Sequence, residues 1–397
     1  MNKYYFDEET ANKAVKFIET HLTHTKGELA KKPFILQEYQ KEQIIKPLFG
    51  WKNKEDDSRK YRTAFIFLPR KNGKSTLAAA IILTLLYLDN EYGAEYYSAA
   101  NDKEQAKIVY GVVADMVRNN PKLESYVEIF KNSIVYNAQG SFYKAISRET
   151  STKHGFNSAG FIYDELHGMT DDGTENLWEV LETSTGARRQ PLSIAITTAG
   201  YDKFSACYRM YKYACNVRDG ILEDDQFLPV IFEADEDDDI ENPETWAKAN
   251  PGLDVSLKRS YMEREVKKAL SQPSYLNVMK RLHLNLWTGS ETAWLADYDI
   301  LACDDTISED ILLNSVCYGG LDLASVRDLT SLVLAWRIGE KIICKHWTFI
   351  PEDKYEGRTR GKDGVNYNQF ADYLEITPGN VTDYNYVKAK IFEVCDK

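Results

Sequence analysis

Gly73, Lys74 and Ser75 close the run Pro69-Arg70-Lys71-Asn72-Gly73-Lys74-Ser75-Thr76, and two adjacent acids, Asp164 and Glu165, stand well downstream of it. A glycine lets backbone come close to a phosphate. An adjacent lysine supplies a mobile cation for the outer phosphate oxygens, and a serine hydroxyl is a ligand for Mg²⁺. The acid pair suits the rest of phosphoanhydride hydrolysis: Asp164 to hold Mg²⁺, Glu165 to polarise the attacking water as general base. Arg70 lies in the loop itself, where a guanidinium can reach a γ-phosphate as charge develops on it. Neither half decides the matter alone. The usual spacing puts a second glycine where Leu68 stands, a bare Gly-Lys-Ser recurs by chance, and exposed acids at strand ends are common. In this order, the two together read as a site for nucleotide hydrolysis.

Strands must deliver these groups. The apolar run from Thr63 to Leu68 enters the loop, and an Ala/Leu/Ile-rich helix from about Ser75 turns its N-terminal dipole toward the anion. A second apolar strand from Ser158 ends in Asp164 and Glu165. Glu95 to Ala100 and Pro191 to Gly200 are further strands, with helices at Lys103 to Val117 and Asn176 to Thr183. Strands alternating with helices predict a mainly parallel, three-layer α/β domain. Ser133 to Tyr136 and Ser141 to Ile146, joined at Asn137 to Gly140, predict a hairpin. Upstream, one helix is expected from about Glu8 to Gly27 and another from near Leu36 to Trp51. Gln40, in the second, carries a donor and an acceptor suited to an adenine edge. Arg188 and Arg189 are candidates to reach a neighbouring subunit's nucleotide.

From about Lys203 long helical runs replace the alternation, broken by the acidic stretch Glu233 to Glu241, which reads as a solvated loop. The helix Leu257 to Ser271 carries Lys258, Arg259, Arg264, Lys267 and Lys268. With Glu263 and Glu265 interleaved, it reads equally as a solvated face or a face for a polyanion. Beyond about Ser308 a β-rich unit begins, with strands at Val316 to Leu323, Thr330 to Arg337 and Lys341 to Phe349 and a closing helix from Tyr384 to Val394. The expected division is therefore 1–205, a helical linker at 206–307, and 308–397.

The 397 residues, 43% hydrophobic and 28% charged, describe a globular protein of two or three domains. The longest apolar run, Leu77 to Leu88, is too short to span a membrane and reads as a buried helix. The N-terminus lacks a signal-peptide pattern. Six cysteines without a C-x-x-C pair fit a reducing compartment and argue against a disulfide framework or zinc ribbon. His21 and His24 have no cysteine or carboxylate cluster beside them to make a metal site. A net charge of −12 excludes a general nucleic-acid coat while leaving room for a local basic channel.

One ordered set of motifs goes further: Leu36-x-x-x-Gln40, Pro69 to Ser75, Ala99-Ala100-Asn101-Asp102-x-x-Gln105-Ala106, Phe161 to Glu165 and Thr197-Thr198-Ala199-Gly200. It continues through Ala247-Lys248-Ala249-Asn250-Pro251-Gly252-Leu253, Leu284-Asn285-Leu286-Trp287 and Gly320-Leu321-Asp322-Leu323-Ala324-Ser325-x-x-Asp328-Leu329-Thr330. The chain resembles the large terminase subunit of tailed phages and prophages over nearly its whole length. That resemblance implies an α/β phosphate-loop NTPase (ASCE-type) three-layer domain with a helical linker, followed by a partial RNase H-like nuclease domain. The altered phosphate loop is one this family uses.

By the same resemblance ATP with Mg²⁺ is held by Gln40, Arg70, Lys71, Asn72, Gly73, Lys74, Ser75 and Thr76, with Ser75 and Asp164 on the metal. Lys74, Arg70 and Glu165 are catalytic, and Thr197-Thr198 couples hydrolysis to movement. Asp322 matches the first metal-binding, catalytic carboxylate of the nuclease, which needs Mg²⁺ or Mn²⁺ and further acids; Asp328 is a candidate to assist. The implied partners are double-stranded DNA, the portal of a procapsid, a small terminase subunit and copies of the chain in a ring, with a monomer in isolation. The implied setting is the host bacterial cytoplasm. Lys397 falls just before the strand where the family places the next nuclease carboxylate, so the expectation is that the chain does not cut DNA alone. A helicase-like remodelling ATPase and an ATP-binding module without turnover are the other readings. Strand separation would mark the first, and binding without stimulated hydrolysis the second.

Overall fold

A computed structural model describes residues 3–147, 155–169, 177–289, 302–303, 308–324, 328–355 and 367–396. It divides into the units Met1–Asp297 and Tyr298–Lys397. The first unit opens with β1 (Tyr4–Phe6), α1 (Glu8–His21), α2 (Glu38–Gln40), a π turn at Lys41–Ile45, α3 (Lys46–Gly50), β2 (Trp51–Asn53) and β3 (Thr63–Phe67). Next come α4 (Lys74–Leu88), β4 (Glu95–Ala100), α5 (Lys103–Arg118), α6 (Pro121–Glu124), β5 (Val127–Ile129), β6 (Ser133–Tyr136) and β7 (Ser141–Ser147). It continues through β8 (Ser158–Asp164), α7 (Leu177–Thr183), β9 (Leu192–Thr197), α8 (Ala206–Arg218), β10 (Phe227–Ile231), α9 (Pro243–Ala249), α10 (Arg259–Ser271) and α11 (Pro273–His283).

Eight of these strands form one sheet in the order β10-β3-β9-β8-β4-β7-β6-β5. The pairs from β10 to β7 are parallel, and β5, β6 and β7 are antiparallel. A parallel sheet is covered on both faces, which is why β8 and β9 are buried at every position. Successive side chains go opposite ways. Ala64, Ile66, Ile162, Ile194 and Ile196 pack with side chains of α1, α4 and α5, whereas Phe65, Phe67, Phe161, Tyr163 and Ala195 join Trp178, Leu181, Cys207 and Ala214 of α7 and α8. These are the three layers read from the sequence. Helix α4 contains the run Leu77 to Leu88 and is buried on nearly all sides. Such a helix is stable only when enclosed, and Thr84 fits because its hydroxyl donates to the Ala80 carbonyl at 2.8 Å. Asp102 caps α5 by accepting from the Gln105 N–H at 2.8 Å, a contact contributing about 1 kcal/mol.

Two expectations change. Helix α1 stops at His21 rather than near Gly27, because the chain turns there and Thr23 bridges to Pro33. The segment expected as a helical linker gives the main sheet a strand: β10 pairs with β3 along its whole length, Phe227 opposite Thr63 and Ile231 opposite Phe67. Within that segment α9, α10 and α11 pack around Trp246, Leu257, Met262, Val266, Met279 and Leu284, in the unit Met1–Asp297.

The second unit contains α12 (Glu309–Leu313), β11 (Cys317–Asp322), β12 (Thr330–Ile338), β13 (Lys341–Pro351), α13 (Glu352–Tyr355), β14 (Leu374–Thr377) and α14 (Tyr384–Cys395). Its sheet runs β11-β12-β13-β14, antiparallel except for the β13–β14 pair. Leu332, Phe349 and Val387 form its small core. All six cysteines are free, and among the described residues no helix is long and apolar enough to cross a membrane.

Candidate active site

Ligands of open α/β sheets bind beyond the carboxyl ends of the strands. Here those ends carry the loop Leu68 to Gly73 after β3, Asn101 after β4, Glu165 after β8 and Thr198 after β9. Left-handed backbone at Lys71 (φ 70°) and Gly73 (φ 77°) turns the loop into α4. At Gly73 a Cβ would sit 3.4 Å from the Gln40 amide nitrogen. Helix α4 begins at Lys74 with no side-chain cap, so its first-turn N–H groups are left for an anion. Ser75 and Thr76 are half-buried in that turn.

Lys74 is buried. Its Nζ donates to the Leu68 carbonyl at 3.1 Å, the Pro69 carbonyl at 3.3 Å and Thr198 Oγ1 at 2.5 Å. Glu165 Oε1 lies 3.8 Å away. Burial pulls the lysine below its ordinary pKa, and the Glu165 and Asp164 charges oppose it. The loop carbonyls thus hold a charge that a phosphate is suited to take over.

The two carboxylates differ in surroundings and therefore in charge. Burial and the Glu165 charge push Asp164 up to about 7 against the pull of Lys74. Burial would raise Glu165 as well, but Lys74, His167 and Arg70 together outweigh it and hold that carboxyl well below its ordinary value. Asp164 Oδ1 is buried without a hydrogen-bond partner among the described residues. An orphaned carboxylate oxygen with a raised pKa is what a divalent cation would satisfy, and one or two protein ligands plus phosphates suffice for Mg²⁺. Asp164 and Ser75 fit that ion.

Glu165 has left-handed backbone, φ 54° and ψ 52°, which costs an ordinary residue about 1–2 kcal/mol. Its N–H donates to the Ile196 carbonyl at 2.9 Å, and its own carbonyl accepts from Asn101 Nδ2 at 3.5 Å. Asn101 is itself fixed by the Tyr163 hydroxyl, which donates to Asn101 Oδ1 at 2.8 Å. His167 Nδ1 lies 3.2 Å from Glu165 Oε2 and 3.2 Å from Thr197 Oγ1. Asn101 and His167 are thus positioning groups. Asn101 stood in a quoted motif without a role, and His167, two residues after Glu165, carried no signal beyond proximity.

Several expected groups have other surroundings. The Asn72 side chain is fully buried within the protein: Nδ2 donates to the Arg70 carbonyl at 3.2 Å and to Asn250 Oδ1 at 2.9 Å, while Oδ1 accepts from the Gly252 N–H at 3.0 Å. Its carbonyl is taken as well, accepting from the Tyr39 hydroxyl at 2.7 Å. Gln40 is buried against the phosphate loop; its Oε1 accepts from the Gln37 N–H at 3.0 Å and its Nε2 donates to the Tyr39 hydroxyl at 3.2 Å. Arg70 and Lys71 are exposed. Arg188 is held within its own chain, donating to the Asn157 carbonyl, the Gly93 carbonyl at 2.9 Å and Glu91 Oε1 at 3.0 Å. Arg189 donates to the Asp56 carbonyl.

In the second unit Asp322 ends β11, exposed and opposite Ser331. Asp328 is exposed too. Among the described residues no three His, Cys, Asp or Glu side chains group to hold a metal, so these residues do not by themselves fit a two-metal centre.

A phosphate loop on β3, an acid pair on β8 and strand β9 between them define a phosphate-loop ATPase of the additional-strand class, here followed by an RNase H-like sheet. Family models described as "Terminase large subunit, ATPase domain" and "Terminase large subunit, endonuclease domain" match residues 38–216 and 221–395. The large terminase subunit of Enterobacteria phage HK97 is 28% identical over 391 residues, which is 96% of this chain and 74% of that protein. The large subunit of Lactococcus phage p2 is 23% identical over 369 residues, 89% of this chain and 65% of that one. The crystal structure of the HK97 large terminase superposes with a TM-score of 0.62 at 27% identity, covering 97% of this chain and 77% of that chain. The chain belongs to the terminase large subunits, ATP-driven DNA-packaging motors that carry an endonuclease domain.

Proposed function

We propose that the cleft between the phosphate loop and Glu165 hydrolyses ATP, and that this turnover drives double-stranded DNA into a procapsid. The observation that carries the proposal is the approach of Lys74 Nζ to Glu165 Oε1, 3.8 Å, at the ends of two strands of one sheet. Backbone N–H groups of the loop and of the first turn of α4 take the phosphates. Lys74 leaves the Leu68 and Pro69 carbonyls for the outer phosphate oxygens. Glu165, kept ionised by Lys74 and His167 and aimed by Asn101, accepts the proton of the attacking water as its oxygen bonds to the γ-phosphorus and the bond from that phosphorus to the β–γ bridging oxygen breaks, releasing ADP. Mg²⁺ on Ser75 and Asp164 would neutralise charge on the phosphate oxygens. Arg70, exposed at the loop, reaches the γ-phosphate as charge develops in the transition state, and Gln40 supports the loop at Gly73.

The partners follow from the family: DNA phosphates contacted with little sequence preference, the portal, a small terminase subunit and further copies in a ring, in the host cytoplasm. DNA affinity should therefore fall with salt. The test is Mg²⁺-dependent ATP hydrolysis by the chain and by Glu165→Ala, with and without double-stranded DNA and procapsids. Turnover lost in the variant and raised by procapsids supports the proposal. Tight ATP binding without turnover under all conditions would reduce the chain to a binding module, and no ATP binding would remove the proposal altogether.

A further inference from the structure

Two motifs, Asn250-Pro251-Gly252 and Leu284-Asn285-Leu286-Trp287, have no part in the chemistry described so far, yet both are built around buried amides. Asn285 is fully buried in left-handed backbone, φ 60°. Its Oδ1 accepts from the Ala199 N–H at 2.9 Å and its Nδ2 donates to the Phe232 carbonyl at 2.8 Å. It thereby ties the residue after Thr198 to the residue after β10. Trp287 adds a steric catch, since a Cβ at Gly200 would lie 2.9 Å from its ring. Asn250 is also buried. Its Nδ2 donates to the His283 carbonyl at 2.8 Å, and its Oδ1 accepts from Asn72 of the phosphate loop at 2.9 Å. The Arg70 N–H donates to the Leu282 carbonyl at 2.9 Å. Three stations at and just beyond the end of α11, Leu282, His283 and Asn285, therefore receive or hold the phosphate loop on one side and the Thr197–Gly200 turn on the other. Those two segments meet again at Lys74, whose Nζ donates to Thr198 Oγ1. The circuit is closed.

We propose that the Leu282–Asn285 corner is a shared positioning element for ATP hydrolysis: Asn250 and Asn285 hold the phosphate loop and the Thr197–Gly200 turn in register, and they do so as one unit. Both amides have their oxygen and nitrogen satisfied, and a fully satisfied buried network fixes one geometry where apolar packing would tolerate several. Both asparagines are buried with their amides bonded to protein groups, so the effect is on placement of Lys74 and its neighbours. This inference rests on the ATPase reading above.

The experiment compares Asn285→Gly, Asn250→Ala, their double variant and Glu165→Ala with the unaltered chain in one Mg²⁺-ATPase assay, alongside thermal midpoints. Glycine keeps the left-handed backbone at 285 while removing both hydrogen bonds. Misplacement of catalytic groups by about 1 Å costs on the order of a hundredfold, so each single variant should lower kcat/KM at least about fivefold. If the corner acts as one unit, the double variant falls no more than about threefold below the worse single. Single losses under about fivefold, or losses that multiply in the double variant, overturn the proposal. Should a variant not fold, hydrogen exchange of the unaltered chain decides. Adding ATPγS should protect peptides covering 68–73, 197–200 and 282–287 together, and protection of the first without the third overturns the proposal. Absence of turnover in the unaltered chain, with ATPγS binding intact, would instead mark failure of the ATPase reading.

Discussion

Replacing Thr198 with valine removes a buried hydroxyl that accepts from Lys74 Nζ at 2.5 Å and donates to the Leu68 carbonyl at 3.2 Å. Lys74 is a buried cation held by three oxygens, with Glu165 at 3.8 Å. Every bond that steadies it there opposes its transfer to phosphate. A hydrogen bond to a charged group contributes about 1.5–3 kcal/mol. The Leu68 and Pro69 carbonyls stay in place, so the lower end applies, about 1.5 kcal/mol or about tenfold in an equilibrium constant. With ATP bound the lysine rests on phosphate, and the loss falls almost entirely on the empty state. Thr198→Val is therefore expected to bind ATPγS about tenfold more tightly, with a lower thermal midpoint when empty and a larger rise on adding nucleotide. Equilibrium binding and thermal denaturation with and without ATPγS measure both. Weaker binding, or equal destabilisation of both states, would refute the idea that Thr198 competes with phosphate for Lys74.

At the amino ends of the strands Arg59 Nη2 pairs with Asp89 Oδ1 at 2.6 Å, the side chains 5% and 7% exposed. Arg59→Met should lower unfolding free energy by about 3 kcal/mol in urea titrations, toward the lower end for a broken buried pair because Gln190 and Tyr96 still donate to Asp89; a loss under about 1 kcal/mol would show the carboxylate rehydrates. His283 is pulled down to about 4 by burial, with Glu265 opposing and Arg70 and Lys71 adding to the shift. A histidine whose folded pKa lies below its unfolded value of about 6.5 contributes stability that is present at neutral pH and lost as pH falls through the window between them. The unaltered chain should lose about 3 kcal/mol more than His283→Gln between pH 7 and pH 4, read from urea midpoints, and parallel losses would refute that assignment.

The parallel sheet was legible because strands buried on both faces are written as near-continuous apolar runs, as at Phe161 to Tyr163 and, with Ser193 as the interruption, Leu192 to Ile196. Strand β10 was not, since Phe227–Ile231 is short and contains Pro229, which an edge strand tolerates. Lys74, Asp164 and Glu165 were visible as residue types at motif spacing and lie together. The left-handed turn at Glu165 left no trace, because glutamate gives no hint of a positive φ. The contact of Asn72 with Asn250 spans 178 positions, and no local pattern encodes which of two asparagines faces a ligand and which faces the other. Arg188 illustrates the same limit: a guanidinium beside a strand reads as available until Glu91, Gly93 and Asn157 are found around it.

The position of β3 between β9 and β10 also sets a timetable for the growing chain. Its pairing partners are Ser193–Thr197 and Phe227–Ile231, so the strand bearing the phosphate loop waits for roughly 160 further residues, about 10–30 s at ribosomal rates. Meanwhile the β5–β6–β7 meander can close through short connections, and α1 and α5 are there for α4 to pack on, but the face that α4 turns to β8 and β9 stays uncovered until those strands emerge. Nascent chains of intermediate length therefore display that helix as a chaperone or aggregation target. The sheet around the phosphate loop is complete only when β10 emerges, beyond the last residue of either nucleotide motif.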